Sequence, residues 1–387
     1  MIKRTGRFDW FLFLPMLLLL AIGVVAIYSA GAARGGAFAQ MWKETLVTGL
    51  VGLFLYGVLA YFDYREMLFL GAIPAYAFAL VALLAVLLFG STVYGGRRWL
   101  WFFQPSEISK LCIIVFLAQI YGTLRERFRG QFRFKGFLLA GAIVGVPALL
   151  ILMEPDLGTA ITLAPAAYGM LLAAGVWRRG LLIALVSGIL AVSVIIGAVY
   201  EAEKPGVEPA RREAILKVLP LRPHQVKRIK TFVFPESDPR SAGYNLMQAK
   251  ISIGSSGFLG KGIGRGENNR LKYLPPSVSM NDFIFCVWAE ETGFLGTLIL
   301  LSLFSLLCFA GLRIAFLATD PQGHLLAIGL SLLIFAHVYV NIGMTIGLVP
   351  ITGLPLPFIS SGRTFLVTIM CGLGLLQSVS LHREVDA

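Results

Sequence analysis

Charge is what this sequence has least of. Only 14% of its 387 residues are Asp, Glu, Lys or Arg, against 57% hydrophobic. A soluble domain needs more charged surface than that, so the composition excludes one and points to a polytopic membrane protein. Cysteine is nearly as scarce. Cys112, Cys286, Cys308 and Cys371 all fall in apolar runs, which argues against a disulfide framework and for free, buried thiols. The four histidines, His224, His324, His337 and His382, are scattered without ligand spacing, so no histidine metal site is expected. A nucleotide loop is excluded too: in "GSSGFLGKGIGRG" (254–266) Lys261 is followed by Gly262, where a Walker motif needs Ser or Thr. No nucleic-acid partner is expected.

What the chain has is apolar length. Runs long enough to cross a bilayer as helices lie near 11–29, 45–62, 68–89, 109–122, 137–152, 159–174, 180–199, 283–309, 325–348 and 363–380. The expected fold class is therefore all-α and polytopic, a single membrane domain over 1–387 with about ten transmembrane helices. The run at 109–122 and the pair around "MEPDLGTA" are short. The N-terminal run follows a basic stretch and ends near Ala30-Gly31-Ala32, but it is longer than a signal-peptide core and is read as a retained first helix. Trp10, Trp42, Trp99, Trp101 and Trp177 fall near span ends, as interfacial anchors do.

Lys and Arg counts in the short loops set the expected orientation. With both termini cytoplasmic, the inside carries Lys3, Arg4, Arg7, Arg65, Arg125, Arg127, Arg129, Arg133, Lys135, Arg178, Arg179, Arg313 and Arg383. The short outside loops carry only Arg34, Lys43, Arg97, Arg98 and Arg363. Residues 200–282, between the seventh and eighth spans, then form a large extracytoplasmic loop. It is basic, with 14 Lys and Arg against 7 Asp and Glu over 200–281. That charge suits anionic lipid headgroups in general, or a cradle for one lipid-linked phosphate. Within it, 208–219 reads as a helix lying on the membrane surface, and "YNLMQAKISIG" as a helix that Gly254 ends.

Ionisable groups inside or beside the spans are few and costly, so each needs a reason. Glu107 and Lys110, three apart on a helix that Pro105 helps to start, share a face; they form an internal ion pair or line a polar cavity. Asp156 opens the next apolar run, as an N-cap or as a site residue. Glu154 beside it is expected to be less buried. Arg98 sits among interfacial aromatics. Asp282, in "NDFIFCVWAEETGFLG", stands where the loop re-enters the bilayer, as an N-cap or as an acid facing water. Glu290 is about 80° round the helix from it and some 12 Å deeper, and Glu291 is on the opposite side. The three acids do not cluster, which excludes a paired-carboxylate glycosidase site and leaves Glu290 and Glu291 to bridge to neighbouring helices.

"QPSEISK", "EPDLGTAI", "PESDPRSAGYNLMQAKISIGSSGFLGKG", "NDFIFCVWAEETGFLG" and "LVPITGLPLPFISSG" occur in order along the chain. Together they resemble the SEDS family (shape, elongation, division, sporulation). Lys250 and Lys261 are similar to its RodA branch, most members of the FtsW branch lacking both. The resemblance implies a peptidoglycan glycosyltransferase that polymerises lipid II on the outer face of the cytoplasmic membrane, with a class B penicillin-binding protein transpeptidase and elongation-complex membrane proteins as partners. It places the family's essential aspartate at Asp282 and its ionisable core at Arg98, Glu107, Lys110 and Asp156. Two stretches depart from the family pattern: Met280-Asn281, where His-Thr is common, and Ser360-Ser361-Gly362-Arg363-Thr364, where Ser-Tyr-Gly-Gly-Ser is common.

Such a transfer needs cations, or a divalent metal such as Mg or Mn, against a diphosphate leaving group. It also needs a general base for the attacking sugar hydroxyl, a role typically worth 10²–10⁴-fold. Asp282 is the expected base. Arg98, Lys110, Lys250 and Lys261 are the expected cations, with Ser360, Glu107 and Asp156 at the substrate. A lipid-linked-precursor flippase, or a non-catalytic scaffold for a transpeptidase, would have a similar composition; neither needs a base held at one face.

Overall fold

The computed structural model describes residues 4–5, 7–32, 34–93, 96–100, 103–128, 133–154, 156–204, 206–219 and 223–385. Lys3, Trp101 and Arg129, named above, lie outside the described residues, as does Pro155. Fourteen α-helices run through the described chain. They are α1 (Trp10–Ala32), α2 (Met41–Tyr61), α3 (Tyr64–Phe89), α4 (Pro105–Phe128), α5 (Arg133–Met153), α6 (Leu157–Ala173) and α7 (Arg178–Glu203). Then come α8 (Pro209–Val218), α9 (Pro223–Val233), α10 (Ala242–Gly254) and the single turn α11 (Glu267–Arg270). Last are α12 (Ile284–Leu317), α13 (Pro321–Ile346) and α14 (Arg363–His382). Among the described residues nine helices are long and apolar enough to cross a membrane, and α6 is a shorter apolar one. The run expected at 109–122 is only the middle of α4, which Pro105 does open.

The helices pack as a bundle in which α2 lies on α14, α3 on α4, and α12 on both α1 and α13. Helix α13 is central, touching α4 and α6 as well. Helix α7 stands apart: Gly180, Leu181, Val199 and Ala202 are its buried residues. Its other apolar side chains, from Leu182 to Val194, face outward. Such a surface on all sides suits hydrocarbon, not water. At one end of the bundle the strands Arg4–Thr5 (β1) and Glu384–Val385 (β4) pair antiparallel, so the two termini lie together. At the other end Ser91–Val93 (β2) and Gly96–Trp99 (β3) form a short hairpin.

The insertion between α7 and α12 is mostly helical. Helix α8 forms where a surface helix was expected, with no buried residue. Helix α10 includes Gly254 and is capped by Ser255 instead. The turns after α10 dock on a break in α12, where Gly293 is non-helical (φ 69°, ψ −162°). There the N–H groups of Lys261 and Gly262 donate to the carbonyls of Glu290 and Glu291, and those of Phe294 and Leu295 to Gly257 and Phe258. Broken backbone at membrane depth needs protein partners of this kind, because lipid offers none.

Both carboxylates at the break are tied down. Ser29 on α1 donates to Glu291 at 2.6 Å, so Glu291 does bridge two helices. Glu290 pairs with Lys261 of the insertion at 2.9 Å. A Cβ on Gly293 would lie 2.2 Å from the Gly260 nitrogen. Gly293→Ala is therefore expected to destabilise the protein by about 1–3 kcal/mol or more, from the left-handed backbone and the clash together. Gly57→Ala, into open space on α2, is the control. Thermal unfolding in detergent should show a lower midpoint for the first and none for the second.

Candidate active site

A cavity of about 500 Å³ opens at the hairpin end of the bundle. Its wall is assembled from distant stretches: Glu44 and Thr45 on α2, Arg98 on β3, Glu107 on α4, Asp156 and Thr159 at α6, Arg228 on α9, Asp282, Gly353 and Phe365. Asp282 is half-buried and ends a single π-helical turn, Val278–Asp282. It does not cap α12, since Phe283 holds that position without a side-chain bond. Its backbone is fixed by Asn341, whose amide donates to the carbonyls of Asp282 (3.1 Å) and Leu354 (2.6 Å). A Cβ on Gly353 would come within 3.3 Å of the Asp282 Oδ2. Burial pushes the Asp282 carboxyl up from 3.8 to about 6, with Arg228 and Arg98 pulling the other way.

Asp156 is the N-cap of α6, as one of the two expectations had it. It accepts from the Thr159 N–H (3.2 Å) and hydroxyl (2.9 Å), and from Gln104 (3.1 Å) and Ser106 (3.2 Å). It also stands in the cavity wall. Glu154, expected to be less buried, is fully buried at 0% exposure against 3% for Asp156. The turn after α5 folds it inward. Burial and then Asp156 push its carboxyl up to about 8, while Arg98 lowers it.

Glu107 and Lys110 do pair, at 2.8 Å. Glu107 reaches the cavity, but Lys110 does not. Its ammonium is held 2.7 Å from Nε2 of His337 on α13 and lies 5.4 Å from the Phe365 ring. Lys250 and Lys261 are also away from the cavity. Lys250 is exposed and lies over Gly347, the C-cap of α13; Lys261 is occupied by Glu290 and by Glu267 at 3.3 Å. Ser360 stands behind the wall, accepting from the Leu356 N–H and donating to the Asn281 carbonyl.

Arg228 and His337 were not singled out from the sequence. Arg228 is one cation among the many of the insertion, and only the fold carries α9 over the cavity. There its Nη1 donates to the Thr352 carbonyl at 3.0 Å. Burial, then Arg98, lowers its pKa. His337 gave no signal beyond being an imidazole in an apolar run. The two stretches that depart from the family pattern meet on the wall, where the Ser361 hydroxyl donates to the Asn281 side chain. Arg363 pairs with Glu44 at the exposed rim, 3.2 Å apart.

Among the described residues no three of His, Cys, Asp and Glu come together as a metal site. Asp156 already accepts from three side chains and one backbone N–H. The described residues therefore make no protein-only metal cage, and positive charge at the cavity comes from Arg98 and Arg228, with Arg363 at the rim.

Comparison with known proteins agrees along the whole chain. The cell cycle protein family of FtsW, RodA and SpoVE matches residues 9–385. The peptidoglycan glycosyltransferase MrdB of Escherichia coli K12 is 34% identical over 378 residues, 96% of this chain and 93% of that one. The stage V sporulation protein E of Bacillus subtilis is 31% identical, covering 98% of each. Among solved structures, a chain from work on the structural coordination of polymerization and crosslinking by a peptidoglycan synthase complex superposes with a TM-score of 0.75 at 27% identity. It covers 98% of this chain and 99% of that one. The rod shape determining protein RodA of Thermus thermophilus matches at 0.68 and 25% identity, covering 98% of each.

Proposed function

The chain belongs to the FtsW, RodA and SpoVE cell cycle family and is a multi-pass membrane peptidoglycan glycosyltransferase of the cell-shape machinery; we propose that Asp282 is the general base of its transfer reaction and that the 500 Å³ cavity holds the reacting sugars. The substrate is lipid II, and the leaving group is undecaprenyl diphosphate. A hydroxyl of the acceptor sugar gives its proton to an Asp282 oxygen as its own oxygen attacks the anomeric carbon of the donor. The bond from that carbon to the diphosphate breaks, and its electron pair leaves with the phosphate. One displacement inverts the anomeric centre.

The observation that carries this reading is the placement of Asp282. It is half-buried and shares one cavity with Arg98 and Arg228. A carboxylate raised towards neutrality takes a proton more readily than a solvated one. Two guanidinium groups beside it match the fork geometry of phosphate oxygens and stabilise the charge that develops on them. Glu107 stands on the same wall, placed to accept a sugar hydroxyl, and Asp156, its own bonds already made, holds the Gln104 and Ser106 side chains beside it. Lys110, Lys250 and Lys261 lie off the wall, so the cationic role passes to Arg98 and Arg228, the third lining arginine, Arg363, being paired with Glu44 at the rim.

The cavity end faces outward across the cytoplasmic membrane, and the paired termini face the cytoplasm. A class B penicillin-binding protein is the crosslinking partner, within the elongation complex. The likeness to a chain from a peptidoglycan synthase complex supports this pairing. The test is direct. Purified full-length protein, alone in detergent with lipid II, should yield a ladder of glycan polymer. A folded protein that binds lipid II and makes none would favour a flippase or a scaffold.

A further inference from the structure

Three helices bring a histidine to the inner end of the cavity wall that the transfer reaction does not use directly. His337 on α13 is fully buried, with its ring centre 4.4 Å from that of Phe365 on α14. Its Nε2 is 2.7 Å from the Nζ of Lys110 on α4. Lys110 is 1% exposed, and its ionic partner is Glu107 at 2.8 Å. Glu107 and Phe365 reach the cavity; Lys110 and His337 stand behind them.

The hydrogen-bond chemistry fixes the ring. An ammonium has donors only, so whatever it meets must accept. A proton on Nε2 would set N–H against N–H. A neutral lysine, which could accept it, would leave the Glu107 carboxylate buried beside no positive charge, a costly arrangement. We propose that His337 is a positioning residue, held as the neutral Nδ1–H tautomer, whose Nε2 lone pair fixes the Lys110 ammonium against Glu107. With two acceptors and the Phe365 ring around it, Lys110 cannot swing into the cavity. Its task is to keep Glu107 ionised and aimed at the bound sugar. The histidine decides whether that carboxylate is held in place.

The catalytic consequence rests on the reading of the cavity as the transfer site; the tautomer does not. Two measurements keep them apart. The chain has four histidines, His224, His324, His337 and His382, few enough for ¹⁵N NMR of full-length protein labelled only at histidine, with His337 assigned by its loss in His337→Gln. The result expected is Nδ1–H with a bare Nε2. A proton on Nε2, or an imidazolium, would overturn the proposal whatever the enzyme's activity. The second measurement is lipid II turnover in folded His337→Leu and His337→Gln. Gln carries its amide oxygen near the place of Nε2 and can still accept from Lys110; Leu cannot. Leu is expected to lower kcat roughly 10–100-fold, the usual scale for a displaced group at a reacting centre, with KM little changed, and Gln to restore most of it. Equal losses in both variants would reduce His337 to packing, and no loss in either would remove it from the site; both contradict the proposal.

Discussion

Asp282→Asn is expected to lower glycan polymerisation by about 10²–10⁴-fold, the range that a positioned general base contributes. Asparagine keeps the shape of the side chain and can still line the cavity, but it has no lone pair basic enough to take the acceptor's proton. The fold should survive. The Asp282 side chain makes no capping bond to α12, and its backbone is held by Asn341 through the carbonyl, which the substitution leaves alone. Removing a half-buried carboxylate of raised pKa also relieves a desolvation cost. The variant should therefore melt at or above the wild-type temperature and still bind lipid II. Polymer at near the wild-type rate from purified Asp282→Asn protein would remove Asp282 from the reaction.

The second large effect is on stability. Lys110→Met should destabilise the protein by about 3–5 kcal/mol, because it leaves Glu107 buried beside no counter-charge. Both partners are almost inaccessible, at 1% and 3% side-chain exposure, so water cannot make up the loss. Adding Glu107→Gln should recover much of it, since a neutral pair of similar volume has no ion to desolvate. Unfolding midpoints of the two single variants and the double variant, measured in one detergent, check this. Equal midpoints for Lys110→Met and wild type would mean that the pair is hydrated and that the cavity reaches further than its wall suggests.

Much of this was legible in the sequence, because local rules govern it. Apolar runs set the spans, Pro105 opened α4, Asp156 capped α6, and the three-residue spacing of Glu107 and Lys110 paired them. What was not legible depends on contacts between distant residues. Arg228 reaches the cavity only because α9 packs back to Thr352, 124 positions further on. His337 meets Lys110 across 227 positions. Lys261 was an expected cation for the diphosphate, but the glycines around it dock its turn on the break at Gly293, where Glu290 takes it up. A glycine that breaks a helix and one that merely sits in it read alike in an apolar run. Glu154 shows the same limit: its neighbour marks a helix start, usually a solvated place, and only the packing of the turn buries it.

The claim at the centre is that the ionised carboxylate of Asp282 takes the proton. The measurement that tests it most directly is the pH dependence of kcat/KM for lipid II polymerisation by the purified wild-type protein. Asp282 works only when ionised, and burial has moved its pKa up from 3.8 to about 6. The rate should therefore be full above that value and fall through a single acid limb centred near it, tenfold per pH unit below. In Asp282→Asn the small residual rate should lack that limb. A wild-type rate that holds flat down to the ordinary aspartate value of 3.8, or a limb near 6 that persists in the Asn variant, would contradict it.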